Sequence, residues 1–164
     1  MKFSVNREAL LRPLTIVAGA VERRQTMPIL SNLLIKVDGK ELVITGTDLE
    51  VELSATIALE APTDEAGDIT VPARKLVDIC KSLPDSCDIS FTLDEGKAVV
   101  KSGRSRYTLA TLPAADFPSV QKDDSSFSAT VNQGDFAQLI ERTAFSMAQQ
   151  DVRYYLNGML WELS

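Results

Sequence analysis

The stretch GKELVITG, Gly39 to Gly46, returns as GKAVVKSG, Gly96 to Gly103. A chain that repeats its own wording is assembled from copies of one supersecondary unit, each completed by its neighbours. The first copy opens with MKFSVNREALLRPLTIVAGAVE. Phe3 and Val5 alternate with polar residues as in a strand, Asn6 fits a helix N-cap, and Leu10, Leu14, Val17, Ala18 and Val21 recur at helical spacing. Pro13 interrupts that helix at a cost of ~3 kcal/mol, which predicts a kink or a late helix start. After the turn ERRQTMP come three β-rich runs, Leu33 to Val37, Glu41 to Thr45 and Asp48 to Leu59, split by DG and TG turns. The unit is βαβββ.

In the second copy Val71 precedes a helix carrying Leu76, Ile79, Cys80 and Leu83, and three more strands follow. A third copy begins at Phe127. Laid so that Val131 falls on Val5, it also sets Asn132 on Asn6, Ala144 on Ala18 and Leu156 on Leu30, without a gap. LPAADFPSVQKDDSS joins the second copy to the third and reads as a linker. The repeats predict an α+β protein with a two-unit domain at 1–125. The first strand, helix and strand of another domain follow at 126–164, and the chain stops at Ser164 in mid-unit.

Composition narrows the chemistry. At 45% hydrophobic and 24% charged, the chain matches ordinary soluble proteins. No apolar run approaches the roughly 18 residues of a membrane span, and MKFSVNREAL meets charge too early for a secretory signal. Cys80 and Cys87, one in an apolar helical pattern and one in a loop, read as reduced, and the compartment as cytoplasmic. The sequence holds no histidine, which removes Ser-His and Cys-His nucleophile pairs, imidazole metal ligands and the usual neutral-pH base. No metal or cofactor is expected. A net charge of −6 argues against a nucleic-acid binder that is basic all over, but leaves room for one with its basic residues gathered on one face.

Two charged stretches compete as sites. TDLEVEL places Asp48, Glu50 and Glu52 on one face of a strand, with Leu49, Val51 and Leu53 on the other. Such a cluster can hold Mg²⁺ for a nuclease-type reaction, or it can be a solvated strand face that blocks edge pairing. No basic or hydroxyl cluster stands beside it, which favours the second reading. In GRSRYTLAT, Arg104 and Arg106 share one strand face with Thr108, and Tyr107 and Leu109 share the other.

The runs MKFSVNREALL, TMPILSNLL, TGTDLEVEL, VPARKLVDICKSLP, SGRSRYTLATLPAADFP and FSMAQQDVRYYLNGM resemble the bacterial sliding clamps, the β subunits of DNA polymerase III, from Met1 to Leu163. The resemblance implies a DNA-clamp fold, with helices on one face of curved antiparallel sheets. It also implies a processivity factor without catalysis of its own, which encircles duplex DNA without reading sequence as a two-subunit ring. By position in the family, Arg24, Arg74, Gln150, Tyr154 and Tyr155 would contact DNA, with Arg153 structural. Lys75, Ile79, Arg104, Arg106, Tyr107 and Leu109 would form the seam with the partner subunit's third domain. Leu156, which by its apolar character reads as a core strand residue, would in the family belong to the pocket that takes polymerase and clamp-loader peptides. Most of that pocket lies outside this chain, which alone is expected to be a monomer.

Overall fold

The computed structural model describes residues 1–21, 27–118 and 129–162. They fall into two compact units, Met1–Gln121 and Lys122–Ser164.

In the first unit, strand β1 (Lys2–Asn6) buries Phe3 and Val5 and leads directly into helix α1 (Arg7–Val17). The junction is set by Asn6, whose backbone is extended and whose side-chain oxygen accepts the Glu8 N–H at 2.9 Å. Helix α1 does not start late: Pro13 lies inside it, and Ala9, whose carbonyl Pro13 cannot bond, is exposed. Leu10, Leu14 and Val17 form its buried face.

Strands β2 (Asn32–Thr47) and β3 (Glu52–Pro72) pair antiparallel, then helix α2 (Ala73–Ser82) buries Ala73, Leu76, Val77, Ile79 and Cys80. Strands β4 (Asp88–Asp94), β5 (Lys97–Ser102) and β6 (Ser105–Ala110) complete the unit. The four-stranded sheet runs β1-β4-β5-β6, antiparallel throughout, and β2-β3 is the second sheet. Helices lie on one face of the sheets, α1 and α2 packing on each other and on β3. Leu14, Leu33, Leu42, Ile44, Leu76, Ile89 and Val100 share one core, where Phe3 stacks on Phe91 at 4.9 Å. Gly46 lets β2 approach α1 closely, since a Cβ there would lie 2.8 Å from the Val17 carbonyl oxygen.

Arg7 fastens one corner. Its Nε donates to the Cys80 carbonyl (2.9 Å), its Nη1 to Asp85 (2.6 Å), and its backbone N–H to the Cys87 carbonyl (2.8 Å). The start of α1 is thereby tied to the end of α2. At the opposite ends of β2 and β3, Asn32 donates to the Thr70 hydroxyl, which donates to the Leu112 carbonyl, both at 2.9 Å. Every member of that buried chain has a partner.

The strand boundaries differ from the expected ones. β2 runs unbroken through the DG pair, which appears as a register shift on both sides of Gly39 (φ +54). The expected strand from Asp48 begins at Glu52, because 48–51 is a turn. It continues to Pro72 and absorbs Val71, so the first two copies share one long strand. Arg104 is not in a strand either: with Gly103 (φ +53) it makes the two-residue turn closed by the pair Ser102↔Ser105.

In the second unit, helix α3 (Gln133–Ala144) is capped by Asn132, which accepts the Gly134 N–H at 2.8 Å. Caps, helices and the short 3₁₀ turns Pro28–Ser31 and Tyr154–Asn157 all keep the gapless repeat register. Two expected strands are missing. Val131 has no sheet partner among the described residues, and Leu156 lies in the 3₁₀ turn.

Candidate nucleic-acid and subunit interfaces

In the first unit, Arg74 and Lys75 are exposed on the opening turn of α2, and Arg12 and Lys81 are exposed on α1 and α2. α1 has an asparagine cap, whereas α2 starts from Pro72 without a side-chain cap. Arg24 lies outside the described residues. Arg12 and Lys81 were not singled out from sequence, although their place on the polar stripe of each helix is a readable signal.

The second unit carries Gln150, Tyr154 and Tyr155 on one loop, all exposed. Gln150 adopts φ +58, and the Ala148 N–H reaches across the loop to the Leu156 carbonyl at 2.9 Å. Arg153 grips Asp151 in a two-pronged bond, Nε to Oδ1 and Nη2 to Oδ2, both 3.0 Å. This bond holds the Asp151 carboxyl below, and the guanidinium above, their ordinary pKa values. Asn157 bonds both the N–H and the carbonyl of Asp151. The loop is braced from within, leaving Tyr154 (83% exposed) and Tyr155 (68%) edge to face and open to solvent. Leu156 is 37% exposed. It does not line the nearby groove of about 370 Å³ formed by Leu139, Thr143, Met147, Met159, Leu160 and Trp161.

Among the described residues β6 is a sheet edge, hydrogen-bonded to β5 alone. Arg106 and Thr108 face solvent, as does Arg104 in the turn. Tyr107 is half-buried, while Ile79 (8% exposed) and Leu109 (4%) belong to the core behind it.

The carboxylate cluster does not assemble. Asp48 Oδ1 accepts the backbone N–H of Glu50 (2.9 Å) and Val51 (2.7 Å), which closes the turn and lowers the Asp48 pKa. Glu52 is on the following strand. Among the described residues no group of three or more His, Cys, Asp or Glu is placed to hold a metal ion, and the nuclease reading has no support. Cys80 and Cys87 are free thiols, and burial pushes Cys80 up to about 11. Among the described residues no helix is long and apolar enough to cross a membrane.

Residues 1–121 match the family profile of the DNA polymerase III beta subunit, N-terminal domain, and residues 130–164 that of its central domain. The chain belongs to the DNA polymerase III β-subunit family. Curated members of the family include the "Beta sliding clamp" of Pseudomonas putida, 60% identical over 164 residues, covering all of this chain and 44% of the relative. That of Escherichia coli K12 is 53% identical over 162 residues, 99% of this chain and 44% of the relative. The crystal structure of DNA polymerase III subunit beta from Pseudomonas aeruginosa superposes with a TM-score of 0.93 at 57% identity, over 97% of this chain and 43% of that one. Caulobacter crescentus pol III beta gives a TM-score of 0.89 at 42% identity, over 96% and 42%. The chain thus spans less than half the length of these family members.

Proposed function

We propose that this chain is part of a sliding clamp, a subunit without catalysis of its own that keeps a replicative polymerase on its template by surrounding duplex DNA. The observation that carries the proposal is the exposed surface of the two helices. Arg12, Arg74 and Lys81 stand there against Glu8 and Asp78, in a chain whose net charge is −6. Positive charge gathered on one helical surface suits phosphate contact without base reading, which is what sliding requires.

Within this reading Arg24, Arg74, Gln150, Tyr154 and Tyr155 touch DNA. The exposed tyrosines offer hydroxyls to phosphate and ring faces to an unpaired base, worth ~1–3 kcal/mol per base. Arg153, taken up by Asp151, shapes their loop. Lys75, Arg104, Arg106 and Tyr107 meet a partner subunit's third domain, backed by Ile79 and Leu109. Leu156 contributes to a pocket for peptides of the polymerase and clamp loader. The protein works in the cytoplasm, and this chain alone is a monomer at micromolar concentration.

The test is retention on nicked circular DNA by the ring-forming protein carrying Arg24→Ala with Gln150→Ala. Retention should shorten equally on every DNA sequence. Losing Arg24 should reduce the slope of log affinity against log salt by about 0.9. An unchanged lifetime counts against the assignment.

A further inference from the structure

Among the described residues strand β1 is paired with β4 alone, and its other edge faces β3. In an antiparallel ladder, alternate residues turn their N–H and C=O away from the partner strand. The bonds from Leu93 N–H to the Met1 carbonyl (3.0 Å) and from Arg7 N–H to the Cys87 carbonyl (2.8 Å) set the phase. With Phe3↔Phe91 and Val5↔Ile89 in register between them, the odd positions bond β4, and Lys2, Ser4 and Asn6 turn outward. The Lys2 end of this edge is closed. There the Thr63 hydroxyl donates to the Lys2 carbonyl, and Gly67 lies so near that a Cβ on it would stand 3.2 Å from Met1 Cβ.

Toward Asn6 the edge opens into a furrow. Two adjoining hollows of about 270 and 310 Å³ share Ser4 and Ala61, between β1 and residues 58–65 of β3. That wall follows from a slip in the other ladder: Gly39 pairs with Thr63 and Glu41 with Ala58, so residues 59–62 stand opposite Lys40 alone. Such an irregularity re-aims a strand, and here it leaves Glu60, Ala61 and Pro62 exposed beside β1. The furrow's charge is one-sided. Of the ionisable side chains that line it, Glu60, Asp64, Glu65 and Asp88 are acidic and Lys2 is basic. The Met1 amino group takes Glu65 at 3.4 Å, whereas Glu60, Asp64 and Asp88 have no ion-pair partner among the described residues. An open strand edge invites a second main chain, and an acidic rim selects basic side chains at its alternate positions.

We propose that the furrow beside β1 is a docking site for an extended, lysine- or arginine-bearing segment of another protein. The segment's main chain adds to the ladder at Ser4 and Asn6, and its basic side chains reach Glu60, Asp64 and Asp88. Main-chain bonding supplies affinity here, and the carboxylates supply the choice of partner.

The test titrates a capped peptide of alternating lysine and valine, as long as β1, into the chain and follows the backbone amides by NMR. The amides of Ser4, Asn6 and Ala61 should shift together. Glu60→Lys with Asp64→Lys, both at exposed positions, should weaken binding at least about tenfold while circular dichroism stays unchanged. Asp94→Lys with Glu95→Lys, the same charge change on the exposed turn between β4 and β5, should leave binding as it was. N-methylation of one alternate set of peptide residues should abolish binding and of the other set should not, because only one set faces β1. No binding, shifts confined to other surfaces, or equal loss in both charge-reversed chains overturns the proposal. Equal effects of the two methylations also overturn it, since charge alone would then account for the contact. Self-association of the peptide-free chain, abolished by Glu60→Lys with Asp64→Lys, would make the occupant a second copy and overturn it too.

Discussion

Asp48 holds the turn between β2 and β3 with one carboxylate oxygen, and Leu49 beside it adopts φ +79, a left-handed conformation that costs a leucine of order 1–3 kcal/mol. Asp48→Ala should lower the melting temperature, whereas Asp48→Asn, which keeps an accepting oxygen, should lower it less. Because the folded pKa of Asp48 is depressed, its ionic contribution is full above the unfolded carboxylate pKa. It fades as pH falls through the lowered folded value, so thermal scans of the Ala variant and the unaltered chain should converge in acid. Cys80 gives a second check at this scale. Buried and with its pKa raised to about 11, it stays a thiol at neutral pH, so an alkylating reagent should label Cys87 first and Cys80 only on unfolding. Sequence periodicity misplaced Asp48 and Glu50 because TDLEVEL alternates like a strand. The competing signal was the capacity of an aspartate to hydrogen-bond the backbone two and three residues on.

Helices were legible and strand ends were not. Asn6 and Asn132 announce their helices through local chemistry, and the apolar spacing after Asn6 recurs as the buried face of α1. No local signal marks where β2 and β3 end, since their length is set by pairing with each other. The same limit applies to Val131 and Leu156, whose apolar character suggested strands that only a partner strand could create. Among the strands, the Thr70 hydroxyl links β2, β3 and the segment after β6. Thr70→Val keeps the shape but strands the Asn32 amide, and should cost about 1–3 kcal/mol in urea unfolding. Thr70→Ser, which keeps the hydroxyl, should recover much of that loss.

The two units differ in how much they bury. The first has a continuous core, whereas α3 has no buried residue, and Phe145, Val152 and Leu160 are more than 85% exposed. Hydrogen exchange should therefore find the amides of β4 and β5 protected close to the global limit, and those of α3 exchanging far faster. Equal protection in α3 would mean that an unseen partner covers it. Arg7 carries a consequence of a different kind. Two of its three bonds at the corner of the first unit go to main-chain oxygens, of Cys80 and Cys87, which every amino acid supplies. Positions 80 and 87 are thus free to change identity over evolution within the volume the core allows. Position 7 has no such freedom, because no other side chain brings a rigid, permanently charged fork to that corner.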